Sequence, residues 1–415
     1  MSSRLLRPGD LAGALPPGGL TLVSSGPAES DLLVAEVEAA GAALGDMAFS
    51  GIFVPGLNRA VWNAGPQSRV LTFFQTPELR RQGARSLFLP LCYQDIRRYY
   101  RQHPPRAALL MCSPPDEQGH CSFGAETAWI AAMWRDIPVR IAHVNPLMPR
   151  TPGDPGIPFA ELTAWFEGEQ PLRTVAAGPA DAASLAIAKR IAALVPNGAT
   201  LQTGLGKIPD AVLRALRGHR DLRMHTGLIG DGALELVRSA AMAPGRSALV
   251  GVAIGSPALY AGLDHPHFQF QPVSVTHDPA ILAGIDCLVT INSAMEVDLY
   301  GQVHAEASSR GFMSGPGGAG DYARAARAGG RSLRIIALPA QAGPLSRIVP
   351  AGAGHGPVSL SRFDVDIVVT EHGAADLRNL GHEARAQALV AIAAPVHRES
   401  LAWHWRDTMH ALQEN

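Results

Sequence analysis

Lysine is almost absent from this chain of 415 residues. Only Lys189 and Lys207 occur, and arginine supplies the other fixed cations. With a formal net charge of -1, charge gives no basis for binding a nucleic-acid backbone. The lysine deficit, alongside abundant Ala, Gly and Pro, reads as the imprint of GC-rich coding rather than of function. Cysteine is scarce too. Cys92, Cys112, Cys121 and Cys287 form no C-x-x-C pair and no Cys/His group with zinc spacing, so no metal site is expected and the thiols read as buried and free in a reducing cytoplasm. No apolar run reaches the roughly 18 residues of a membrane span. The amino-terminal stretch meets prolines too early for a secretory signal. These absences leave neither a nucleic acid nor a membrane as an expected partner.

What is present suits a soluble enzyme with large buried sheets: 47% of the residues are hydrophobic and 17% charged. Short apolar runs alternate with helical patterns, which predicts α/β architecture with mainly parallel sheets. Strands are expected at 20–24, 86–91, 108–112 and 139–144, then at 199–203, 222–226, 248–254, 268–273, 288–293, 333–338 and 365–370. The first four are Leu-, Val- or Ile-rich and bounded by turn formers. Helices are clearest at 182–194, 211–217, 385–393 and 400–412. The stretch 167–180 mixes charge, Pro and Gly between the two runs of elements. It divides the chain into two open α/β domains, 1–175 and 176–415.

Several strings stand out at the ends of predicted strands. Gly204-Leu205-Gly206-Lys207-Ile208-Pro209-Asp210 joins a strand to an amphipathic helix. Its glycines admit close backbone approach, and the helix start favours an anion. It is not a dinucleotide fingerprint, because the third glycine is missing. A turn-rich loop, S-P-P-D-E-Q-G-H-C-S-F-G, spans 113–124, and N-P-L-M-P-R-T follows at 145–151. I-N-S-A-M-E-V-D-L-Y-G-Q-V-H-A-E runs over 291–306, with Glu296 and Asp298 just beyond a buried strand. Open α/β sheets place ligands at such strand ends. Gly315-Pro316-Gly317-Gly318-Ala319-Gly320-Asp321-Tyr322 exposes consecutive backbone N–H groups, suited to an oxyanion hole in which each donor contributes roughly 3–4 kcal/mol. S-R-I-V-P at 346–350 and D-I-V-V-T-E-H-G-A-A-D-L-R at 366–378 complete the set.

In this order, these strings resemble the acetyl-CoA hydrolase/4-hydroxybutyrate CoA-transferase family from about residue 108 to 401. The resemblance implies the class I CoA-transferase fold and CoA or acyl-CoA as substrate, with no tightly bound cofactor. It implies CoA contacts at Gly204, Leu205, Gly206, Lys207, Ile208, Met295, Gly317, Gly318, Gly320 and Gln341. Gly318 would supply an N–H to the thioester oxygen. A structural pair of Glu371 and Arg378 and a homodimeric or homotetrameric assembly are further expectations. His304 stands where the family pattern has asparagine.

The main departure lies at 227. The family pattern ends a strand with H-T-E-x-x-x-D-G, and that glutamate carries the acyl group and then CoA. Here the triplet is His225-Thr226-Gly227, followed by Asp231-Gly232. A glycine cannot be acylated, so the two-step route is closed at this position. The leading expectation is an acyl-CoA enzyme in which water or a second small substrate attacks the thioester directly, with His225 or Glu296 as general base. Two alternatives stand beside it: a conventional CoA-transferase with another nucleophile, Glu296 first, and a non-catalytic CoA-binding relative.

Overall fold

A computed structural model describes residues 4–175, 178–309 and 311–413. The chain forms two compact units. The first comprises Met1–Ala176 with Thr226–Ile229 and Gly245–Asp278; the second comprises Ala177–His225, Gly230–Pro244 and Pro279–Asn415. Two short returns of the later sequence therefore belong with the first unit, and one brings Gly227 with it.

The first unit is built on an eight-stranded sheet. Its order is Arg4–Leu5, Ala164–Glu167, Val139–Val144, Ala107–Cys112, Gly19–Val23, Met47–Gly51, Arg69–Thr72 and Ser86–Phe88. Every neighbouring pair is parallel. All six residues of Ala107–Cys112 are buried. A parallel strand covered on both faces reads as the continuous apolar run seen here. Leu109 and Ile141 join Phe49, Phe53 and Trp62 on one face, while Ala108, Leu110 and Ala142 join Phe73, Tyr100 and Trp129 on the other. Truncating a side chain such as Leu109, fully buried, costs about 2–5 kcal/mol.

In the second unit Thr200–Thr203 lies between the start of Arg223–Ile229 and Leu288–Ser293, both parallel to it. Leu333–Ala337 and Ile367–Thr370 extend the parallel order, and Gly373–Asp376 closes it antiparallel. The helix Ala182–Leu194 starts where Asp181 accepts a hydrogen bond from Ser184 N at 2.8 Å, an N-cap worth roughly 0.5–2 kcal/mol.

The expected strand over 268–273 is shorter. It ends at Phe270, and Pro272 precedes a helix over Val273–Thr276. Proline lacks a donor for the ladder but suits a helix entrance. Glu371 and Arg378 do not pair. Glu371 accepts from Ala340 N at 2.8 Å, and Arg378 grips Asp376 at 2.6 Å.

Candidate active site

Gly227 lies in the strand Arg223–Ile229 and is half-buried. Its φ is outside the left-handed region, so the backbone itself would admit any residue. The space beside it does not. A Cβ placed on Gly227 would meet His277 Cε1 at 2.5 Å and Nε2 at 2.9 Å. The His277 ring is only 2% exposed. Its Nδ1 lies 2.9 Å from the Thr276 hydroxyl, its carbonyl accepts from Gln94 Nε2, and its ring packs on Tyr93 with centroids 4.5 Å apart. An imidazole therefore stands where a side chain from position 227 would begin.

Beside Gly227 is a cavity of about 30 Å³, walled by Gly26, Ile52, Tyr93, Glu126, Gly227 and Val252, among other residues of the first unit. That volume exceeds the ~10–15 Å³ needed for one water. The wall at Gly26 is fixed by Asn58. Its Oδ1 accepts from Gly26 N at 3.0 Å and Val54 N at 2.7 Å, and its Nδ2 donates to Gly26 O at 2.9 Å. Gly26 holds φ +53°, and a Cβ there would sit 3.7 Å from Glu126 Cγ.

Glu126 is the acid of this cavity. Its backbone bridges Val252, and its neighbours bond the same strand: Ala253 N donates to Ala125 O at 2.9 Å and Thr127 N to Gly251 O at 3.3 Å. The residue is 5% exposed. Among the described residues no donor or cation reaches its carboxyl group. Burial is the sole cause that pushes this carboxyl from 4.5 up to about 8, because a low-dielectric wall penalises the charged form. No motif in the sequence singles out Glu126. One signal was available: it is the only charged residue in 121–134, an acid inside an otherwise apolar stretch.

The other candidate residues lie in the second unit. His225 is buried in its strand. Gly204 follows Thr200–Thr203, Leu205 and Gly206 form a bend, and Gly206, at φ +124°, caps the helix Lys207–Ala215 that carries Ile208. Gly318 caps the helix Ala319–Ala326, with Gly317 at φ +61° before it and Gly320 in its first turn. Met295 N donates to His304 O at 2.9 Å. Glu296 is held by His355: its Oε2 accepts the backbone N–H at 2.8 Å, and its Oε1 lies 2.8 Å from Nδ1. Gln341 is exposed, on a short hairpin opposite Ser346. None of these residues lines the Gly227 cavity. His304 is 4% exposed, and neither ring nitrogen has a partner among the described residues. Among the described residues no cluster of His, Cys, Asp and Glu could hold a metal ion, and no helix is long and apolar enough to cross a membrane.

Comparison with known proteins places these features. The acetyl-CoA hydrolase/transferase C-terminal domain family matches residues 255–404. A 4-hydroxybutyrate coenzyme A transferase of Clostridium kluyveri is 34% identical over 363 residues, 85% of this chain and 80% of the relative. An acetyl-CoA hydrolase of Yarrowia lipolytica is 28% identical over 289 residues, 64% of this chain and 53% of the relative. Among solved structures, RipA from Yersinia pestis superposes with a TM-score of 0.87 at 27% identity, covering 98% of this chain and 97% of that one. A 4-hydroxybutyrate CoA-transferase from Porphyromonas gingivalis gives 0.80 at 29% identity, with 98% of each chain covered.

Proposed function

Because the chain belongs to the acetyl-CoA hydrolase/4-hydroxybutyrate CoA-transferase family, and is an enzyme of the acyl-CoA hydrolase/transferase type, we propose that it opens acyl-CoA thioesters by direct attack at the thioester carbon, with no glutamyl-CoA intermediate. One observation carries this reading. Position 227 has no side chain, and the His277 ring fills the space where one would start. The small cavity beside Gly227 accommodates a water molecule, which favours hydrolysis over transfer to a bulky acceptor. Family resemblance assigns CoA to the turns around Gly204–Ile208 and Gly317–Gly320, with Met295 and Gln341 alongside and the Gly318 N–H directed at the thioester oxygen. Backbone donors fixed at a helix start suit that charge without reorganisation.

The test is release of free thiol from short-chain acyl-CoAs by the purified chain, with and without added carboxylic acids. Thiol release without any acid acceptor is expected. Turnover that appears only when a carboxylate is added, with no net thiol, would overturn the reading.

A further inference from the structure

We infer that Glu126 is the general base of this enzyme, a catalytic carboxylate on the wall of the Gly227 cavity that draws the proton from the attacking water. The inference rests on the direct-attack reading above and adds the group that such attack requires.

The geometry is specific. A carboxyl group that is 5% exposed and has no donor or cation among the described residues is costly to retain for folding alone. Here it faces a space of about 30 Å³ shared with Gly227, a strand residue that has no side chain. The backbone around it is fixed by the Val252 bridge and two flanking hydrogen bonds, which holds it for a single geometry. The lining is apolar at Ile52, Val54 and Val252, and its polar side chains besides Glu126 are Ser25, Tyr93 and Trp129; of the four, only the carboxylate can take a proton from a bound water near neutral pH. Neither Gly227 nor its neighbour Leu228 brings an ionisable group.

The step balances without any further reagent. The water oxygen bonds to the thioester carbonyl carbon as one water proton passes to Glu126. Collapse of the tetrahedral adduct breaks the C–S bond. The departing CoA thiolate takes the proton from Glu126, which regains its charge, and the product acid then ionises to solvent.

Titratable groups near Glu126 are few. Tyr93 stands on the cavity wall, and His277 lies beside Gly227. Glu29, at the end of the Gly26 turn, is engaged by the Arg59 and Ala60 amides and by Arg173. Neither Tyr93, His277 nor Glu29 contributes to the elevation of Glu126, which comes from burial. A base with a value of about 8 is ionised in roughly one molecule in ten at pH 7. Turnover should therefore climb about tenfold per pH unit below that value and level off above it.

The experiment measures kcat/KM for thiol release from acetyl-CoA between pH 5.5 and 9.5, for the full chain and for Glu126→Gln and Glu126→Asp. The parent is expected to show an inflection near pH 8. Glu126→Gln should lose roughly 10²- to 10⁴-fold together with the inflection, while its dissociation constant for CoA stays within about threefold. Glutamine turnover within threefold of the parent, on the same pH profile, overturns the assignment. So does a covalent adduct trapped on Glu126, which would make it a nucleophile. If Glu126→Gln no longer binds CoA, Glu126→Asp decides: its inflection moves if this carboxyl is the base and stays if it is not. Failure of the broader reading looks different, because the parent itself would then release no thiol without an acceptor acid.

Discussion

Gly227→Glu puts a glutamate where the resemblance expects one, and the structure sets its consequence. The backbone offers no obstacle, since φ at 227 is not positive. The new Cβ, however, would lie 2.5 Å from His277 Cε1, well inside van der Waals contact. His277 cannot simply swing away, being 2% exposed, bonded to Thr276 and packed on Tyr93. Overpacking of this kind costs about 1–3 kcal/mol. The single variant should therefore unfold at lower denaturant than the parent and gain no CoA-transferase activity. Gly227→Glu with His277→Ala should recover most of that loss, a favourable coupling of about 1–3 kcal/mol. It should also transfer CoA to acetate through a glutamyl-CoA that mass spectrometry detects. The assay is urea unfolding of parent, both single variants and the double variant, followed by acceptor-dependent turnover. A single Gly227→Glu variant as stable as the parent would refute the claim that His277 occupies this space.

Glu126 gives a stability test independent of catalysis. Its folded value of about 8 lies above the 4.5 of an exposed glutamic acid, so the folded state keeps a proton that the unfolded state has lost. Its contribution is thus present at low pH and disappears as pH rises from 4.5 through 8. Between pH 5 and pH 8 the stability of Glu126→Gln relative to the parent should rise by about 3–4 kcal/mol; a difference that is flat with pH contradicts the buried neutral acid. Gly156 provides a check on the first unit's packing. At φ +86° its Cβ would fall 1.9 Å from Cys121 O, so Gly156→Ala should lose at least about 1–3 kcal/mol in the same unfolding assay. Gly13→Ala, in a helix with open space around it, should be neutral or slightly stabilising, and equal losses at the two sites would be evidence against these placements.

The buried centre of the fold was legible because its strands are apolar on both faces. Val139–Val144 and Leu288–Ser293 run end for end as the sequence pattern predicts, and so does the helix Ala182–Leu194. The sequence pattern does not mark Met47–Gly51 as a strand, because Ser50 and Gly51 dilute its apolar run. Only the fold gives Ser50 a partner, the Tyr100 hydroxyl at 2.8 Å. The site was legible in one respect: Gly227 draws attention as a departure from a motif. What fills the space beside Gly227 was not legible. His277 lies 50 positions later, and only tertiary packing brings its ring to Gly227. Glu126 carries no local signature beyond its isolation among apolar neighbours, because its chemistry comes from walls contributed by five other stretches of chain. Glu296, prominent in the sequence, has its carboxylate engaged by His355.

The most direct measurement is to mix the enzyme with acetyl-CoA, quench it during turnover with hydroxylamine or borohydride, and map every modified residue by peptide mass spectrometry while free thiol is counted in parallel. Direct attack at the Gly227 cavity requires thiol to accumulate over many turnovers with no enzyme-bound acyl or CoA group on any carboxylate. A stoichiometric adduct on a glutamate, formed as fast as the enzyme turns over, would contradict it.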